Sequence, residues 1–316
     1  MKTDQIQKVH KDWYKLDLSA IVYPTLQRRD FSSVYRLSVL LKEDIDPEIL
    51  QRAVNLTMPR FPTYKAAIRK GVFWRYLEPN DRPGPFVQED VKNPCQPMHF
   101  KGNNRYLVRI YYYRNRIALE AHHSLGDGTG GMCVLQTLTA TYLRLKGHSE
   151  IENGGFVLDI LGIPDPGELE DAYMKYANAK VCPPRPGEKT YRVRGTKEPF
   201  YTLNIIDGIM SVSEVMRVAK SYNATITEYL NSVLLYALMR KQESEWHLKL
   251  RPVKIAMPVN LRRFFPSRTL RNFITMIYPG IDPRLGEYTF EEIVTQVHNY
   301  ICLLYTSPSP RDRTRS

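Results

Sequence analysis

The residues best suited to chemistry sit together in the stretch HHSLGDG, positions 122–128. Two imidazoles stand side by side at the end of the apolar run RIALEA, and an aspartate follows four residues after the second. Glycines occupy positions 126, 128, 130 and 131. A neutral imidazole, with an ordinary pKa of about 6.5, is the natural general base near neutral pH. Neighbours on a strand point to opposite faces. One of His122 and His123 therefore points into the protein and the other is available to a cleft. Asp127 is expected to brace the turn that sets the ring's position, by pairing with a distant arginine rather than by touching the imidazole. Gly126, Gly128, Gly130 and Gly131 permit positive φ and close approach of a substrate to the backbone. A helix starting near Gly130 would bring free N–H groups to a developing oxyanion. Two plainer readings use the same residues. The glycines build a tight strand-to-helix connection and both histidines are satisfied core groups. Alternatively, His123 and Asp127 ligate a metal. No other His/Cys/Glu cluster at ligand spacing and no HExxH motif accompanies them, so no metal is expected.

Several elements must position this stretch. Residues 105–121, RYLVRIYYYRNRIALEA, read as two strands joined by a tight turn near Arg114-Asn115. The helix after the glycines is expected over about 130–146, with Gly147 as its C-cap. Upstream, 13–24 is an apolar-aromatic opening segment and 31–41 alternates as a strand. A helix begins with Asp46 as N-cap and Pro47 at its first position, and Pro62 stops it. Another short strand falls in 71–79. Residues 148–200 are rich in Pro and Gly and read as a linker or crossover. A second half follows. It has a strand at 201–208, two helices capped by Ser211 with Glu214 and Thr225 with Glu228, and a strand within 248–264 leading to a loop. The order fits a two-lobed α/β or α+β protein.

The bulk properties exclude some classes. The 316 residues can bury a large core, and 43% hydrophobic with 25% charged content is typical of a globular protein. No apolar run approaches the ~20 residues of a membrane span, and the polar N-terminus lacks a secretory h-region. Cys95, Cys133, Cys182 and Cys302 have no CxxC spacing, which fits a reducing, cytoplasmic setting. The formal charge is +12, but the basic residues are dispersed and no run of five or more occurs. That disfavours nucleic acid; a phosphate-bearing cosubstrate would be served equally well.

The C-terminus does not match the rest. Residues 302–312, CLLYTSPSPRD, read as the translation of a transposase-type sequencing adapter. The native sequence is therefore expected to end near Ile301 and the natural protein to continue differently, with 302–316 a non-native tail. Resequencing the source locus decides this.

HHSLGDG fits HHxxxDG and resembles the motif of the chloramphenicol-acetyltransferase-like superfamily, which includes condensation domains and alcohol acetyltransferases. WYKLDLSAIVYP (13–24) is similar to the opening segment of the alcohol acetyltransferase-like branch, and MPVNLRRFFPSRTLRNF (257–273) to the segment giving the second-lobe wall of the active site. The resemblance spans about 10–301. It implies an N-terminal lobe over 1–180 carrying the motif, a C-terminal lobe over 181–301, incomplete for want of its last portion, and a tunnel between them. By the same resemblance His123 is the base, His122 supports it, and Asp127 is structural and pairs with Arg262, with Arg263 as the neighbouring alternative. Gly128 is a candidate through its backbone N–H. Asn260, Thr269 and Asn272 either line the tunnel as oxyanion donors or satisfy loop backbone groups.

The implied function is transfer of an acyl group, acetyl by first choice, from a CoA thioester to an alcohol or amine. Acetyl-CoA or another acyl-CoA would be cosubstrate, and no bound cofactor is implied. The alternatives are a condensation-type enzyme taking its donor from an acyl carrier protein, and a non-catalytic binding protein on the same fold.

Overall fold

The computed structural model describes residues 13–28, 31–177, 188–200, 202–245 and 249–306, the last four for their backbone alone. Cys182 and the tail beyond Thr306 lie outside the described residues. The chain divides into two units. The first runs through Ala177 and also takes Glu198–Asn204 and Leu261–Ile274; the second takes Asn178–Lys197, Ile205–Asn260 and the rest from Thr275.

The first unit starts with a short strand, β1 (Tyr14–Lys15), and helix α1 (Leu18–Leu26), where sequence alone shows only an apolar segment. Asp17 caps α1 by accepting from Ala20 N–H at 2.8 Å. β2 (Val34–Leu40) follows, then α2 (Pro47–Thr57), capped by Asp46 as its sequence predicts. β3 (Ala66–Lys70) and β4 (Arg75–Pro79) form a hairpin that β1 joins through β4. β5 (Val87–Glu89), β6 (Val108–Tyr113) and β7 (Arg116–His122) complete a second sheet in the order β2-β7-β6-β5. β7 is central, antiparallel to both neighbours, and buried from Ile117 to its end. Glu120 on it is 1% exposed and is neutralised by Arg36 at 3.0 Å and Arg109 at 3.5 Å.

Helix α3 (Gly128–Leu145) leaves the end of β7 and packs on α2 and β2. It begins two residues before the predicted start because Asp127 caps it. Gly147 follows its C-terminus at φ 106°, a conformation that favours glycine. Leu50, Val54, Ile110, Leu119, Leu125, Leu135 and Leu138 fill the core between these layers.

Residues 148–177 are not a linker. Arg60 grips Glu168 through both carboxylate oxygens, at 2.6 and 2.8 Å, and α4 (Ala172–Tyr176) carries Tyr173 onto Phe273. Of 148–200, only Asn178–Lys197 falls in the second unit.

The second unit contains α5 (Val212–Ser221), α6 (Ile226–Ser244), β8 (Val253–Lys254), β9 (Met257–Asn260), β10 (Ile274–Ile277), β11 (Gly280–Ile281) and α7 (Phe290–Thr306). Ser211 caps α5, and Thr225 with Glu228 forms a complete capping box on α6. β8 pairs with β11 and β9 with β10. The strand expected over 201–208 is absent: the described residues 202–208 are exposed and form no ladder. α7 runs past Ile301 to Thr306. Leu235, Met239, Val253, Ile277, Ile293, Val297 and Ile301 form this unit's core.

Candidate functional site

The site is built where β7 passes into α3. Asp127 is the N-cap of α3: Oδ1 accepts from the N–H of Thr129 at 3.0 Å and of Gly130 at 3.3 Å. The same carboxylate accepts from both Nη atoms of Arg262, at 2.8 and 3.3 Å, and from the N–H of Phe273 at 2.9 Å. Asp127 is 3% and Arg262 11% exposed at the side chain. Arg262 in turn donates to the carbonyls of Thr269 and Arg271. One carboxylate thus ties a helix start to a loop more than 130 positions away. Removing either partner would strand a buried charge, at a cost of about 3–5 kcal/mol. Of the two candidate arginines, Arg262 makes this pair. It does so within the first unit, because Leu261–Ile274 belongs there and not to a separate C-terminal lobe.

The two histidines have opposite environments. His122 is fully buried, edge-on to Phe100 at 5.5 Å. Its Nδ1 accepts from Ser124 N–H at 3.2 Å, and its Nε2 is buried with no partner. Burial, with smaller contributions from His123 and Arg75, lowers its pKa to about 3. His123 is partly exposed. Its ring stacks on Tyr23 at 4.6 Å and 18° and is flanked by Tyr35 at 4.7 Å. Its N–H donates to Ser33 O at 2.9 Å, and its carbonyl accepts from Asn272 Nδ2 at 2.9 Å. Nδ1 is the buried ring nitrogen, whereas Nε2 is not among the buried unpartnered atoms. Burial lowers the His123 pKa; the Asn272 side chain and the Asp127 carboxylate offset part of that shift. Burial thus favours the neutral ring near neutral pH, and Nδ1 is the nitrogen buried without a partner.

The glycines work differently from the sequence expectation. None of Gly126, Gly128, Gly130 and Gly131 has a positive φ. A Cβ on Gly130 would lie 2.0 Å from Leu270 O, and one on Gly126 2.4 Å from the same carbonyl. A Cβ on Gly131 would lie 2.5 Å from the Tyr35 hydroxyl. These glycines admit the chain's own loop and tyrosines, not a substrate. Gly128 is the exception: it is exposed, with nothing within 4 Å of its Cβ position.

Thr269 has its hydroxyl committed inside the unit, and Asn272 its Nδ2, while Asn272 Oδ1 is buried without a partner. The Thr269 hydroxyl donates to Glu170 O at 2.7 Å and accepts from Arg271 N–H at 3.2 Å. Asn272 is fully buried and donates to Asp17 Oδ2 at 3.1 Å as well as to His123 O. For Thr269 these bonds are those of the loop-satisfying alternative; for Asn272 only the Nδ2 bonds are. Asn260 ends β9 in the second unit, apart from this cluster in the division of the chain.

Sequence reading missed Asp17, Tyr23, Tyr35, Tyr64 and Arg271. Asp17 is buried beside Arg271 at 3.7 Å, and burial pushes its carboxyl pKa up against the opposing pull of that arginine. Burial pushes Tyr23 up to about 12 and Tyr35 and Tyr64 further, so all three hydroxyls stay protonated. An aspartate just before LSAIVYP was a visible helix-start signal. The tyrosines carried none, since tyrosine is a common core residue. Among the described residues no group of three or more His, Cys, Asp or Glu could hold a metal.

No protein-family model matches the sequence, and no curated protein sequence matches it. Solved structures do match. Polyketide synthase associated protein 5 from Mycobacterium tuberculosis superposes with a TM-score of 0.60 at 15% identity, over 93% of this chain and 73% of its own. The first condensation domain of the CDA synthetase gives 0.58 at 15%, over 93% and 75%. The starter condensation domain of rhizomide synthetase, solved in complex with C8-CoA, gives 0.58 at 12%, over 92% and 70%. The chain has the two-lobed, mixed α/β condensation-domain fold. No helix among the described residues is long and apolar enough to cross a membrane.

Proposed function

We propose that the protein is an acyltransferase in which His123 is the general base. The observation that carries this is one partly exposed imidazole whose neutral form burial favours, held between Tyr23 and Tyr35 and anchored at its backbone carbonyl by Asn272. Nε2 takes the proton of an acceptor hydroxyl or amine as that atom attacks a thioester carbonyl. The C–S bond then breaks, and the proton passes to the leaving thiolate. For Nε2 to accept, Nδ1 must carry the ring proton. Asn272 Oδ1, itself buried and unpartnered, is the group suited to receive it. Asp127 and Arg262 act through geometry, by holding the turn that follows His123. Gly128, through its N–H at the start of α3, is the candidate oxyanion donor within the first unit.

The proposed donor is acetyl-CoA or a longer acyl-CoA, consistent with a relative of this fold bound to C8-CoA. A second donor to test, on the condensation-type reading of this fold, is an acylated carrier protein. The test measures thiol release from acetyl-CoA with a panel of alcohols and amines, and in parallel acyl transfer from an acylated carrier protein. His123→Ala should lose at least about 100-fold in kcat. Unchanged turnover in that variant rules out the base role. CoA binding by calorimetry with no turnover on either donor favours a non-catalytic binding protein.

A further inference from the structure

The second unit carries a cleft of 310 Å³ lined by Tyr191, Arg192, Val193, Arg194, Lys249 and Arg251. Four of these six side chains are cationic and none is acidic. None of the four makes an ion pair or side-chain hydrogen bond among the described residues. Of the carboxylates close in sequence, Glu188 is engaged by Arg284 at 2.6 Å; Glu245 pairs with Lys241 at 3.4 Å and also bears on Tyr191, leaving one negative charge beside four cations. Like charges gathered around one cleft repel each other, and a bound anion relieves that repulsion.

The backbone beneath is firmly held. The buried Gln242 side chain clamps Arg251 on both sides, donating to its carbonyl at 3.0 Å and accepting from its N–H at 2.8 Å. Tyr191 N–H donates to Pro252 O at 2.9 Å, joining the two cationic segments. Each segment places its cations two residues apart. Guanidinium groups offer paired donors that match phosphate oxygens, and the volume suits the small end of ligand sites.

We propose that this cleft binds a multiply phosphorylated small organic anion.

Adenosine 3′,5′-bisphosphate is a probe that binds without chemistry. Calorimetry on the full chain should show saturable binding that weakens as salt rises. Arg192→Ala with Arg194→Ala should weaken it about tenfold or more, whereas Arg192→Lys with Arg194→Lys should retain most of it and exclude misfolding as the cause. Wild-type affinity in the alanine pair, or tighter binding of duplex DNA than of the bisphosphate, overturns the proposal.

Discussion

Adjacent histidines with the same intrinsic chemistry end up with different tasks because one side chain is walled in and the other is not. His122 has its pKa lowered to about 3, from an unfolded value of about 6.5. Between those values the unfolded chain binds a proton that the folded chain refuses. Stability is thus unaffected above about pH 6.5 and falls as pH drops through the window, by at most about 5 kcal/mol in all. His122→Phe removes this titration while keeping a ring beside Phe100. Urea denaturation from pH 6.5 to 4.5 should show a shallower loss of stability than wild type, by up to about 1.4 kcal/mol per pH unit. Parallel curves would show that His122 does not carry the effect. The His123 shift has the same sign, so its base form persists below the ordinary histidine range, and the acidic limb of any activity profile should fall below about pH 6.5.

At the scale of elements, the start of α3 shows both how far the sequence could be read and where reading stopped. The stretch HHSLGDG marked the passage from β7 into α3, and alternation along a strand anticipated that the two imidazoles differ in burial. The Asp46, Ser211 and Thr225 caps were legible because they are local: each side chain serves an N–H two or three residues on. The purpose of the glycines was not, because it depends on Leu270 O and on two tyrosines distant in sequence. The strand expected over 201–208 failed for the same reason. Its β-forming composition found no neighbouring ladder, and tertiary pairing decides strands more than propensity does. The glycines can be tested against one another. Gly128→Ala, at an exposed helical position, should leave stability unchanged or raise it by up to about 1 kcal/mol. Gly130→Ala must displace a backbone carbonyl and should lose about 2 kcal/mol or more, in the range of overpacking. Chemical denaturation of the two variants compares them directly. Equal effects would contradict the close approach of Leu270.

On the scale of the molecule, the first unit is discontinuous. Its core is made by residues up to 177, but two of its buried carboxylates, Asp17 and Asp127, find their cationic partners at Arg271 and Arg262. A fragment ending at residue 180 would keep the apolar core and lose those partners. It should lack a cooperative unfolding transition, whereas a chain extended through 274 should recover one; circular dichroism against urea distinguishes them. Vectorial synthesis meets the same discontinuity as a delay. The ribosome exposes HHSLGDG long before it has made residues 262–273, so the nascent N-terminal half waits with its helix caps tied to nothing across the sheet. That interval, set by the distance along the message between a motif and its latch, is when this protein would most need a chaperone.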